Sequence, residues 1–204
     1  MNKKRFIWLV PVLVMAFAMS ACKSDDDGGG DGIGQTLNLS GDVYNKDGSV
    51  YTGDRTLTIA GGTGLIKGGK LTFSIGVPYN QKSMETFLSG LDARFGFNVF
   101  SYAGWDPTDT QATDLVLANL TKKLEVTTGT SKTREEVIYI YVDRNCIVTA
   151  DGGNTATYAG VTATVSKFTL NLKKGWNPLS LLLMPNGTLV IGVGDSNSCK
   201  WVYE

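Results

Sequence analysis

From Leu37 onward, apolar and polar residues alternate with the two-residue period of a strand that has one buried face. The stretch QTLNLSGDVY carries Leu37 and Leu39 on one side, and RTLTIA repeats the pattern with Leu57 and Ile59. KLTFSIGV then sets Leu71, Phe73, Ile75 and Val77 on a common face. NKDGS, centred on Asp47 and Gly48, has the composition of a hairpin turn. The glycine-rich GGTGLIKGG separates the second run from the third. Three antiparallel strands are the expectation.

The period changes once. In SMETFLSGL, Met84, Phe87, Leu88 and Leu91 recur at i, i+3, i+4 and i+7, which predicts a short helix. Ser83 can cap it, Glu85 suits the positive end of its dipole, and Gly90 falls near its end. Its apolar stripe is expected to cover an open end of a β core.

Strand patterning resumes in RFGFNVFSY, and residues 105–114, WDPTDTQATD, read as a loop. LVLANLTKKLEVT fits helix or strand, and the Thr-rich, β-branched continuation favours strand. EEVIYIYVDRNCIV is apolar on both faces from Val137 to Val142, as a strand inside a packed structure would be. GVTATVSKFTLNLKKG shifts parity near Ser166 and Lys167, which predicts a bulge or a turn. WNPLSLLLM, PNG and TLVIGV form a further hairpin, and CKWVYE supplies a last strand. The sum is an all-β fold, a β-sandwich of roughly ten antiparallel strands with one short helix. No internal repeat is apparent.

Residues 1–32 follow another pattern. Lys3, Lys4 and Arg5 precede an apolar run from Phe6 to Met19, and Ser20 and Ala21 are small. This is the layout of a secretory signal, and the run is short for a membrane span. MSAC, Met19 to Cys22, resembles the lipobox of bacterial lipoproteins, with Met19 where that family most often has Leu. The resemblance implies a signal peptide over 1–21, cleavage before Cys22, and lipid attachment to the Cys22 thiol. Two or three acyl chains would anchor the chain stably in a membrane. The following KSDDDGGGDG has almost nothing apolar to bury, so 22–32 read as the lipidated cysteine and a flexible tether. KSDDD is also similar to the surface-export signal of Bacteroidota lipoproteins, which implies an outer-membrane protein displayed at the cell surface. The alternative is a tether at the periplasmic face.

Residues 33–204 then form one domain, long enough for a sizeable core. Of 19 basic and 19 acidic residues, the first 32 positions take four of each, leaving 15 and 15. A neutral domain gives no footprint for nucleic acid. The chain contains no histidine, which removes Ser-His-Asp and Cys-His nucleophile systems and His-ligated metal sites. Neither a cofactor nor a metal is implied. With Cys22 carrying lipid, Cys146 and Cys199 remain as an even pair in an oxidising compartment. A disulfide between them is the expectation, and two free thiols the alternative.

Two loops merit comparison with known chemistries. DVYNKDGSVYTGD places Asn45, Asp47 and Asp54 at EF-hand-like positions, but Val43 stands at the first and Asp54 replaces a bidentate Glu, so turn chemistry explains it better. YAGWDPTDTQATD puts Trp105 near Asp106, Asp109 and Asp114. An exposed indole beside carboxylates suits a pyranose, whose apolar face stacks on the ring while acids accept hydroxyl protons. The alternative is a tryptophan that caps the core beside turn-forming acids. Trp176 and Trp201 follow strand patterns and are assigned to the core, Trp201 against the disulfide. A carboxylate-based hydrolase would need two acids 5–10 Å apart in a cleft, and no pair is singled out. The expected function is therefore a non-catalytic binding or structural domain on a lipid anchor. A glycan-binding role through exposed aromatics is the alternative, and a fimbrial-type assembly role stands beside it.

Overall fold

The computed structural model describes residues 36–59, 61–95, 101–102, 107, 109–128, 131–158 and 160–204. The first alternating run forms β1 (Leu37–Asn45). It ends in a turn where Gly48, at φ +84°, donates its N–H to the Asn45 carbonyl at 2.9 Å. The Asp47 carboxylate accepts from the Ser49 N–H and hydroxyl, and these bonds hold it below its ordinary pKa. Next come β2 (Arg55–Ile59), β3 (Gly62–Lys67) and β4 (Lys70–Ile75), joined antiparallel in the order β1-β4-β3-β2.

Two local expectations are corrected here. The glycine-rich separator is itself a strand, because Gly62 and Gly64 pair with Ile75 and Phe73 and leave room for those side chains. Val77 does not continue the buried face of β4. The strand stops at Ile75, the Gly76 carbonyl accepts from the Trp176 indole at 3.0 Å, and Val77 is 45% exposed.

The helical period gives α1 (Met84–Phe95), which follows β5 (Lys82–Ser83). The Ser83 hydroxyl accepts from the Thr86 N–H at 3.3 Å, capping the first turn. Met84, Phe87, Leu88 and Leu91 are all buried, while Gly90 lies inside the helix with its position open to solvent. Then follow β6 (Ser101–Tyr102), β7 (Gln111–Asp114), β8 (Leu120–Thr128) and β9 (Ser131–Val142). The ambiguous segment is thus a turn leading into a strand. Asn119 takes φ 58° there, which Asn tolerates better than most residues, and its carbonyl accepts from the Glu204 N–H.

The remaining strands are β10 (Cys146–Ala150), β11 (Thr155–Tyr158), β12 (Val161–Val165), β13 (Phe168–Leu172), β14 (Gly175–Leu183), β15 (Thr188–Val193) and β16 (Lys200–Tyr203). The parity shift at Ser166 and Lys167 marks a change of sheet. β12 belongs to the large sheet, and β13 joins β10 and β6 in a three-stranded one. The described residues therefore form an all-β fold with one helix, and their strands are more numerous and shorter than the sequence pattern suggests. Most pairings are antiparallel, but β16 runs parallel to β1, and β12 parallel to β15.

β9 organises the whole. One edge pairs with β14 from Arg134 to Val142, and the other pairs first with β8 and then with β7. Its alternating side chains enter two different cores. Ile140 and Val142 join a cluster with α1, β10 to β15 and Met84, while Val137 and Tyr139 join a second with β1 to β4, Leu120 and Trp201. Burial on both faces matches the uninterrupted apolar run of the sequence.

The cysteines fall on opposite sides of this division. Cys146 belongs to the first cluster and Cys199 to the second, each 6% exposed and each a free thiol. The expected Cys146–Cys199 bridge is not formed. Cys199 Sγ lies 3.9 Å from the Glu135 carbonyl, early in β9, whereas Cys146 follows the far end of that strand. Glu135 to Val142 spans about 23 Å of extended chain, against the roughly 7 Å limit on Cα separation in a disulfide. Burial pushes both thiols up to about 11.

Candidate ligand-binding site

Of the residues expected at a saccharide surface, Trp105 and Asp106 lie outside the described residues. Asp109 is exposed and close enough to Arg144 to help raise that guanidinium's pKa. It lines neither of the hollows considered next. Asp114 lines both.

Asp114 stands where β9 changes neighbours. β7 is held between β5 and β9, and the Gln111 N–H donates to Asp143 Oδ1 at 3.0 Å. Beyond Asp114 the Leu115 N–H still donates to the Tyr139 carbonyl at 2.8 Å, but Val116 is exposed and β8 takes over along β9. The interruption leaves two adjoining hollows. One, of about 330 Å³, is lined by Ile59, Ile75, Pro78, Asn80, Val116 and Trp176 as well as Asp114. The other, of about 240 Å³, reaches from Asn80 and Asp114 to Lys82, Thr86 and Gly90 of β5 and α1.

The segment following β4 supplies the opposite wall. The Trp176 indole N–H on the Gly76 carbonyl ties this segment to β14, and Gln81 donates its amide to the Pro78 carbonyl at 2.7 Å. Tyr79, between Pro78 and Asn80, is 78% exposed. Trp176 is only half-buried. It meets the Tyr141 ring edge-on at 5.5 Å and also lines the larger hollow. The core assignment of Trp176 is thus half of its role. Tyr79 and Asn80 carry no sequence signal beyond lying in a turn.

Trp201 is buried in the core as expected, but its neighbour is a polar cluster and not a disulfide. Its indole stacks at 6.3 Å from the Tyr139 ring, with Lys122 over its face. Lys122 pairs with Asp195, and the Tyr139 hydroxyl donates to Asp195 Oδ2 at 3.0 Å. Burial, reinforced by Asp195, raises the Tyr139 pKa. Beside it, Ser180 and Ser196 donate to the two carboxylate oxygens of Glu135. These bonds fasten the β15–β16 connection to the sheet.

Among the described residues, no three His, Cys, Asp or Glu side chains converge as a metal site. Asp54 accepts from the Gly68 N–H, so it serves a different turn from the one built on Asp47. No described helix is long and apolar enough to cross a membrane. Comparison with protein-family models, with curated proteins and with solved structures finds no match to this chain.

Proposed function

We propose that this chain is a lipid-anchored protein of a bacterial outer membrane, displayed at the cell surface, whose β domain binds a saccharide without cleaving it. The anchor rests on the lipobox-like MSAC and the acidic tether behind it. The binding role rests on one observation, the meeting of aromatic and polar groups at Asn80 and Asp114. Half-buried Trp176, which lines the larger hollow, offers ring surface to the C–H face of a pyranose. The Asn80 amide and the Asp114 carboxylate offer the directional bonds that sugar hydroxyls need. Both hollows are of oligosaccharide scale, and Asp114 is the acid they share.

The test uses the full-length protein in mild detergent, run through native gels that contain amylose, mixed-linkage β-glucan or mannan. At least one polysaccharide is expected to retard it. Asn80→Ala and Asp114→Asn should each weaken retardation about tenfold, the scale of one charge-assisted or two ordinary hydrogen bonds. Unretarded wild-type protein, or variants retarded as strongly as wild type, overturns the binding role. Cys22→Ala should move the protein from the membrane to the soluble fraction, and a variant that stays with membranes overturns the anchor.

A further inference from the structure

The large sheet has a second surface with chemistry of its own. Val43 and Trp201 point into the second cluster, so their strand neighbours Tyr44 and Val202 point the other way. On that open face, β1, β16, β8 and β9 floor a groove of about 590 Å³. Its lining includes Lys46, Lys123, Lys200 and Arg134 against Glu125 and Glu204, an excess of cations in a domain that is neutral as a whole.

The cations are arranged against ordinary sheet preference. Lys200 and Lys123 stand directly opposite each other in the β16–β8 ladder. Like charges at such positions destabilise a sheet. Glu204 offsets only one of them, by pairing with Lys123. Lys200 lies over the Tyr44 ring at 4.7 Å, and among the described residues no carboxylate pairs with it. Arg134 is partly engaged. Its guanidinium lies 5.7 Å from the Tyr158 ring and 3.7 Å from the Glu136 carboxylate, but its buried Nε has no acceptor among the described residues. Glu204 senses the resulting field. The Lys123 hydrogen bond, together with the charges of Lys123, Lys46 and Arg134, holds its carboxyl below the ordinary 4.5.

We propose that this groove binds an anionic oligosaccharide, with carboxylate or sulfate groups held by Lys46, Lys200 and Arg134 and ring faces resting on Val202 and Tyr44. The volume suits a few sugar rings. The cations come from β8, β9, β16 and the turn after β1, so they line the groove and do not gather around one phosphate. The groove shares no lining residue with the hollow at Asn80 and Asp114, so neither site depends on the other.

Titration calorimetry of the full-length protein with tetragalacturonate tests this. Binding is expected, weakening as salt screens the charges, while neutral galactotetraose gives no heat. The Lys46→Ala/Lys200→Ala double variant removes two exposed side chains, so its melting temperature should match wild type while affinity falls at least about tenfold. Absence of binding, equal binding of the neutral tetramer, or wild-type affinity in the double variant overturns the proposal. So does a duplex DNA or polyacrylate bound as tightly as the tetragalacturonate, since attraction for any polyanion, saccharide or not, would then explain the result.

Discussion

Cys146 and Cys199 illustrate how burial governs a single residue's chemistry. Raising a thiol from 9.0 to about 11 leaves roughly 100-fold less thiolate at neutral pH. Iodoacetamide should therefore label neither cysteine readily in the native protein and both in denaturant, and reduction should leave the mass unchanged. A gain of two hydrogens on reduction would reinstate the bridge. The sign of the pH effect follows from the folded state holding these protons more tightly than the unfolded chain. That contribution to stability is complete below pH 9 and fades as pH rises toward 11. Melting temperature should fall over this window, and a Cys146→Ala/Cys199→Ala variant should lack that part of the decline. The parity of cysteines in the sequence is silent about which core receives each one. Composition likewise identifies Trp176 as apolar but cannot show that its ring has one face in the core and one at a hollow.

Glycines separate what was legible at the level of elements from what was not. The helix and strands β1 and β4 follow directly from the spacing of Leu39, Phe73, Met84 and their neighbours, because burial imposes those periods. β3 was obscured because its inward positions carry Gly62 and Gly64, whose missing side chains give way to Phe73 and Ile75. The same residue type has opposite value in α1. A methyl group at Gly90 meets open space, so Gly90→Ala should stabilise by about 0.4–1 kcal/mol, chiefly by restricting the unfolded chain. A methyl group at Gly64 would stand 2.8 Å from the Thr72 carbonyl oxygen and crowd the Phe73 ring. Gly64→Ala should cost about 1–3 kcal/mol. Urea titrations of both variants check the pair, and a stabilised Gly64→Ala would contradict the packing described for β3.

At the scale of the molecule, β16 connects parts that no other strand of the large sheet connects among the described residues. It pairs with β1 on one side and β8 on the other, and so joins the β1-β4-β3-β2 group to the strands around β9. Trp201 fills the second cluster from the same strand. Removing residues 200–204 should therefore abolish cooperative unfolding of that half, not merely fray an end. A thermal melt followed by near-ultraviolet circular dichroism reports this, and a truncated protein that melts as sharply as wild type would show that β16 is dispensable. Sequence patterning identified this stretch as a strand but not its neighbours, because pairing across such a separation leaves no periodic trace.

The placement of β16 also sets an order in time. The Trp201 indole donates to the Ser40 carbonyl, 161 residues away along the chain. As the polypeptide emerges from its N-terminus, β1 is present almost from the start, yet its partner on one side arrives only after everything from β2 to β15. Until then β1 and β8 each present an unpaired backbone edge, the kind of surface on which nascent chains stick to one another. A cell making this protein thus has reason to keep it shielded during synthesis, and a ribosome that stalls shortly before Lys200 releases a chain with both edges still open.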